Sequence, residues 1–301
     1  MTQDGPPYRD HAGFLWALSY RLTGSAADAD DIVQETFARA LAHPPPDPTL
    51  PWRPWLTRVA VNLGRDLLRR RHRRAYPGPW LPAPVEEPHE PLLVEDPPQA
   101  RYDLLESVSY AFLLALEALT PPQRAVLLLR DAFDYSVRET AEALDLSEAS
   151  VKTTHHRARR AMAAYDTSRR HPTEAAGDTL RALQAFTLAV AKGDVAAVEA
   201  LLAEEVRALT DGGGKVMAAR VPVIGRRKVA RFYVNLARQL AAGAVWTVRT
   251  INALPALVGE FPGARERHPP RMVLRVDVDA IGRIAAVHSV VTPDKLGAIG
   301  A

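Results

Sequence analysis

Residues 137–162 read VRETAEALDLSEASVKTTHHRARRAM, two short amphipathic patterns that meet at LDLS and close on a run of arginines. In the second pattern Val151, His155, Ala158 and Met162 recur at helical spacing, so one face can pack inward. The opposite side carries Ser150, Lys152, Thr153, His156, Arg157, Arg159 and Arg160. Ser147 is a good N-cap, because its hydroxyl can accept from the first free backbone N–H groups. Two or three residues separate the helices, the spacing of a helix-turn-helix whose second helix enters the major groove from its N-terminal part. Short polar groups early and arginines late suit base contacts followed by phosphate contacts. A plain helical hairpin with a solvated basic face has the same pattern. The stretch by itself leaves both readings open.

The rest of the chain narrows the choice. A length of 301 residues with 47% hydrophobic content predicts two or three domains with real cores. The net charge is only +3, but it is unevenly placed. RDLLRRRHRR (65–74) holds six arginines against one aspartate, and PVEEPHEPLLVED (84–96) holds five acids and no Lys or Arg. Local clusters of this kind point to a polyanionic partner. With no cysteine there is no disulfide, thiol nucleophile or cysteine zinc site. No apolar run approaches the roughly 18 residues of a membrane span, and MTQDGPPYRD (1–10) lacks a basic-then-apolar leader. These features predict a soluble, cytoplasmic protein with no membrane partner.

Helical spacing appears at 11–24, at 28–41, where leading acids suit the positive end of the helix dipole, and at 52–74. HPPPDPTLP (43–51) is a loop, since proline lacks the N–H donor and fixes φ. Eight prolines between 75 and 100 mark a linker, although its GPWLPAP is too apolar for a bare spacer and predicts that Trp80 and Leu81 dock. Helices resume at 103–119, 122–133, 136–144 and 148–165, and PTEAAG (172–177) reads as a second break. Beyond it, helices at about 178–191, 194–203 and 225–241 alternate with strand-like runs at 205–211, 215–221, 244–251, 271–279 and 283–291. The pattern predicts an α+β domain, its last two strands joined by a hairpin at AIG (280–282).

Two further helices carry chemistry. On the third, Trp52, Trp55, Arg58, Asn62 and Arg65 interleave aromatic, basic and amide groups, a mixture that can stack on unpaired bases and hold backbone phosphate. Burial of Trp52 and Trp55 in the core fits equally well. On the second, Ile32, Val33, Phe37, Ala40 and Leu41 form an apolar face, and Asp31, Gln34, Glu35 and Ala38 the other. That second face is either solvated or a surface for a basic protein partner.

DADDIVQETFARAL (28–41), WLTRVAVNLGRDLLRRRHRR (55–74) and LTPPQRAVLLLRDAFDYSVRETAEALDLSEASVKTTHHRARRAM (119–162), in this order, resemble bacterial extracytoplasmic-function sigma factors over about residues 8–168. YPGPWLPAP (76–84), LTDGGGKV (209–216) and VTPDKL (291–296) resemble the subgroup with a SnoaL-like C-terminal extension. The resemblance implies two all-α sigma domains, residues 1–75 and 101–170, joined by a Pro-rich acidic linker (76–100), then an NTF2-like cone over 173–301. It implies core RNA polymerase and promoter DNA as partners. Asp31, Gln34 and Glu35 would dock on the polymerase β′ clamp, with the β subunit as a further contact. Arg58, Asn62, Arg65, Arg69 and Arg70 would fall in the −10 binding and melting segment, and Ser150, Lys152, Thr153, His156 and Arg157 on the −35 recognition helix. The acidic linker would thread the RNA-exit path. The cone would act as a built-in regulator, with a small-molecule or protein effector as an open option. Trp80, Leu81 and Pro82, the turn Asp211, Gly212, Gly213 and Gly214, and Pro293, Asp294, Lys295 and Leu296 would mediate docking between domains. No metal or other cofactor is implied. The chain departs from the family pattern at Ala83, where WLPEP has an acid, at Thr292, where an Asn is usual, and at His155, commonly apolar.

A competing reading is enzymatic, because SnoaL-like cones include cyclases and isomerases. Asp211, Asp277 and His288 are the candidate acid–base groups. Strand alternation sets Arg275, Asp277 and Asp279 on one face of their strand, against Met272, Leu274, Val276 and Val278 on the other. No spacing here defines an acid–base pair, and the expectation is a non-enzymatic regulator.

Overall fold

Helix α1 (Tyr8–Thr23) stops at Gly24, where φ is +68° and the N–H still reaches the Tyr20 carbonyl at 2.6 Å. One residue later Ser25 starts α2 (Ala26–Ala42), its hydroxyl accepting from the Asp28 N–H at 3.2 Å. This cap moves the helix start two residues ahead of the predicted 28. Helix α3 (Trp52–Arg73) completes a three-helix block. The computed structural model describes residues 8–45, 47, 51–73, 76–86, 100–240, 244–262 and 268–300. Among the predicted features, most of the acidic stretch 84–96 and Arg74 lie outside the described residues, as do the side chains at 72 and 73.

The second helical block contains α4 (Leu104–Val108), α5 (Tyr110–Ala115), α6 (Pro121–Leu127), α7 (Val137–Leu144), α8 (Glu148–Ala161) and α9 (Ala163–Ser168). A π-turn at Leu128–Ala132 follows α6. Helix α7 opens on a reciprocal capping box. Ser136 Oγ accepts from the Glu139 N–H at 3.1 Å, and the Glu139 carboxylate accepts from the Ser136 N–H at 2.7 Å. It ends on Asp145 in the left-handed region (φ 55°), and Ser147 caps α8. This is the predicted helix–turn–helix.

The two blocks form one compact unit, residues 8–73 with 100–169. Buried arginines stitch them together by donating to backbone carbonyls of the other block. Arg21, fully buried on α1, donates to the Leu104 carbonyl at 2.7 Å and to Ser107 Oγ at 2.7 Å. Arg124 on α6 donates to the Leu22 carbonyl at 3.1 Å and pairs with Glu117 at 2.7 Å. Phe14 meets Phe133 edge-on at 5.3 Å. Leu41, expected on the inner face of α2, is instead 68% exposed, although Ala40 beside it is buried.

Residues 76–86 with 170–300 form the second unit. Its helices are α10 (Pro172–Ala191), α11 (Val195–Leu201) and α12 (Arg226–Leu240). The strands β1 (Leu202–Asp211), β2 (Val223–Ile224), β3 (Val245–Ile251), β4 (Leu254–Glu260), β5 (Arg271–Val278) and β6 (Ile284–Val290) make one sheet in the order β2-β1-β6-β5-β4-β3. Among the described residues only β1 and β6 run parallel. Val206 and Ala208 on β1, Leu274 and Val276 on β5 and Val287 on β6 pack with Leu183, Phe186, Val229 and Tyr233 of the helices into one core. The α+β layout is as predicted, with local differences, among them the short strand β2, which was not expected. PTEAAG is the first turn of α10 and not a break: His171 caps it and Pro172 takes the first helical position, where proline is favoured. Residues 215–221 form no strand; the DGGGK turn feeds an irregular stretch in which Val216 and Ala218 pack against the core while Met217 and Val221 are exposed. Finally, β4 lies where no strand was expected. It pairs with β3 through a two-residue turn at Asn252 and Ala253, whose φ values of 51° and 68° are those of a type I′ hairpin.

Candidate functional site

Three exposed helical surfaces hold the predicted macromolecular contacts. On α8, Val151, Ala158 and Met162 are buried, and Ser150, Lys152, Thr153, His156 and Arg157 all face solvent. Ser147 Oγ accepts from the Ser150 N–H at 3.2 Å, fixing the start of this polar face. His155 lies toward the core, and its Nε2 is 2.8 Å from Asp131 Oδ1 in the π-turn. A histidine is tolerated at a commonly apolar position because the fold supplies a carboxylate for it.

On α3, Asn62, Arg69 and Arg70 are exposed and Arg65 is half-buried. Arg69 pairs with Asp66 at 2.9 Å and Arg65 reaches Asn62 at 3.4 Å. Arg58 comes within 3.8 Å of Asp145, in the turn that leads to α8. Trp52 and Trp55 are neither buried nor free: they meet edge-on at 6.4 Å and are partly exposed. On α2, Asp31, Gln34 and Glu35 are exposed, with Glu35 paired to Arg39 at 2.7 Å.

The predicted docking motifs of the second unit converge on one carboxylate. The Asp211 side chain, at the end of β1, is fully buried. It accepts from Tyr76 Oη at 2.5 Å, the Leu81 N–H at 2.8 Å, the Gly213 N–H at 3.1 Å and Lys295 Nζ at 2.6 Å. Lys295 also donates to the Leu81 carbonyl at 2.5 Å and sits 4.3 Å from the Trp80 ring centroid, a cation–π distance. One aspartate therefore ties the linker, the glycine turn and the chain's last segment together. The turn must be glycine: at Gly213 (φ +58°) a Cβ would fall 2.6 Å from Thr292 Oγ1. At Gly214 it would strike Pro77 at 2.8 Å, and Gly212 is buried beside Ala218. Outside, Lys215 and Asp294 repeat the link as an exposed pair at 2.5 Å, with Pro293 exposed beside it.

Further along, Leu81, Pro82, Ala83 and Val85 are buried, and Glu86 bridges to Ile251, pairs with Arg249 at 3.2 Å and accepts from the Gly300 N–H at 2.7 Å. Leu296 is buried. Ala83 is 2% exposed, so an acid there would need a buried partner of its own. Tyr76 belongs to this cluster but was not singled out from sequence, although it opens the linker motif, which was the available signal; Thr292, noted there only as a departure, packs against Gly213.

The three candidate acid–base groups do not form one cluster: Asp211 stands apart from Asp277 and His288. Asp211 is engaged as described. Asp277 and His288 lie 3.5 Å apart beside buried Arg275, on the sheet face opposite Leu274 and Val276. Burial lowers the pKa of the His288 imidazole, against the pull of Asp277. Among the described residues no group of His, Asp and Glu is arranged to hold a metal, and no helix is long and apolar enough to cross a membrane.

Residues 7–74 match the family model described as Sigma-70 region 2, and residues 109–162 that described as Sigma-70, region 4. The ECF RNA polymerase sigma factor SigJ of Mycobacterium tuberculosis is 34% identical over 295 residues, covering 93% of this chain and 89% of that protein. The crystal structure of SigJ matches with a TM-score of 0.69 at 29% identity, covering 94% of each chain. The sigma factor SigG of the same organism is 39% identical over 170 residues, or 51% of this chain and 45% of that protein.

Proposed function

Because the chain belongs to the extracytoplasmic-function family of RNA polymerase sigma factors, we propose that its two helical blocks read a bipartite promoter and that its C-terminal unit sets their output by holding the linker. As a sigma factor it binds core RNA polymerase and promoter DNA to start transcription. Helix α8 reads the −35 element through Ser150, Lys152, Thr153, His156 and Arg157. Helix α3 holds the −10 element through Arg58, Asn62, Arg65, Arg69 and Arg70. Asp31, Gln34 and Glu35 of α2 dock on the β′ clamp, and the β subunit meets the rest.

The observation that carries this reading is the split of α8 into a buried seam and a solvent-facing row of polar and basic groups behind a serine cap. Regulation is supported by the four donors that converge on Asp211. The linker cannot be drawn straight through polymerase while Leu81 is fastened there.

The test is promoter binding by full-length protein with core polymerase. Arg157→Ala should weaken affinity for −35 DNA by about 1–3 kcal/mol, the worth of a bidentate base contact. Lys152→Ala should reduce the salt slope by about one. Failure of the wild type to co-purify with core would contradict the whole assignment, and unchanged affinity would remove Arg157 from the reading face.

A further inference from the structure

Between α10, α12 and the helix-facing side of the sheet lies a cavity of about 130 Å³. None of the Asp211 cluster lines it. Its strand wall is Trp246, Leu257, Met272 and Leu274, and among the described residues the hydroxyl groups lining it are those of Thr187 and Tyr233. Both hydroxyls are already engaged: Thr187 Oγ1 donates to the Leu183 carbonyl at 2.7 Å, and Tyr233 Oη lies 3.0 Å from Ser289 Oγ. Among the described residues no charged side chain lines the space. A charged ligand would lose its hydration there with nothing in return.

The wall is built rather than left over. Trp246 lies directly across the strand pair from Gly259, where a Cβ would come 2.4 Å from the indole Cζ3. Phe261 meets the same ring edge-on at 5.4 Å. The missing side chain at 259 therefore lets the indole lie along the sheet. The tryptophan is nonetheless 38% exposed, so the core is open at this end. Ala191 and Ala237 on the two helices leave the room. An apolar cavity of roughly 150 Å³ accepts benzene, which bounds the occupant to a single ring.

We propose that this cavity binds a neutral, single-ring aromatic molecule of the toluene or phenol class, stacked against Trp246 with any hydroxyl directed at Tyr233. Strand β6 links the cavity to the linker site. Ser289 holds the Tyr233 hydroxyl, and two and three residues on, the N–H groups of Val291 and Thr292 donate to the Asp211 carbonyl at 2.9 and 3.1 Å. The proposal rests on the cavity alone and stands or falls independently of the promoter assignments.

Ligand-observed NMR on the full-length protein tests it, with toluene, phenol and benzoate as probes. Toluene and phenol should show saturable, mutually competitive binding, and benzoate should bind at least roughly tenfold more weakly because its carboxylate would be buried. Ala237→Leu, which fills the space, should weaken both neutral probes at least roughly tenfold. Ala191→Leu is the second variant should the first fail to fold. No saturable binding of either neutral probe at millimolar concentration overturns the proposal. So does equal binding of benzoate, or binding unchanged in a folded, filled variant.

Discussion

Lys295 Nζ lies 2.6 Å from Asp211 Oδ2 and 2.5 Å from the Leu81 carbonyl, so a single ammonium joins the chain's last segment to the glycine turn and the linker. The Asp211 side chain is fully withdrawn from solvent and that of Lys295 is 11% exposed. The segments it joins are about 130 and 84 residues apart along the chain.

Breaking this pair from one side should be costly, because the remaining charge stays buried; one-sided removal of a buried pair costs about 3–5 kcal/mol. Lys295→Met or Asp211→Asn should therefore lower the melting temperature and speed hydrogen exchange at the Leu81 amide, which donates to Asp211. Combining Asp211→Asn with Lys295→Met, which leaves no buried charge and keeps an acceptor for the Tyr76, Leu81 and Gly213 donors, should recover part of the loss. Leu81 exchange that is unchanged in both single variants would show that other contacts hold the linker.

The His155–Asp131 pair makes a different prediction. The Asp131 side chain is 8% exposed, so His155→Leu strands a buried acceptor, at a cost of about 1–3 kcal/mol or more if charged. His155→Leu should destabilise the protein by that amount in denaturant titration. The double variant with Asp131→Leu should show a coupling of at least about 0.5 kcal/mol. Strictly additive losses would mean that the pair contributes no mutual stabilisation.

His288 predicts a pH dependence. Burial lowers its folded pKa below the ordinary 6.5, so the unfolded chain binds the extra proton first. By linkage, stability contributed by keeping the imidazole neutral is complete above pH 6.5 and declines as pH falls from there toward the folded pKa. The groups facing it are Asp277, which opposes the shift, and Arg275, which adds to it. Thermal melts between pH 7.5 and 5.5 should show a falling midpoint, and His288→Gln should flatten the slope. An equal slope in the variant would assign the pH dependence to other groups.

Much of this architecture is written locally. Ser147 announces α8 because a cap acts within three residues, and the buried seam of α8 follows from spacing alone. The caps at Ser25 and Ser136 were passed over, so α2 was expected to start two residues late. Strand β4 was hidden because LPALVGE is buried on both faces and so shows no alternation, while its turn uses Asn252 and Ala253 in place of the usual glycine. Residues 215–221 misled for the opposite reason: they alternate, yet Met217 and Val221 find no core. The docking motifs could be recognised one by one, but nothing in their spacing says that Tyr76, Leu81, Gly213 and Lys295 meet on Asp211. That meeting is a property of the tertiary fold, set by where β1 ends.

The claim that the C-terminal unit sets sigma output by holding the linker is tested most directly by in vitro transcription with core RNA polymerase. Full-length protein should be compared with a chain lacking residues 172–301 and with the Lys295→Met variant. The account predicts that promoter output changes on truncation and shifts in the same direction in Lys295→Met, because both release residues 76–86. Equal transcription from full-length and truncated protein would contradict it.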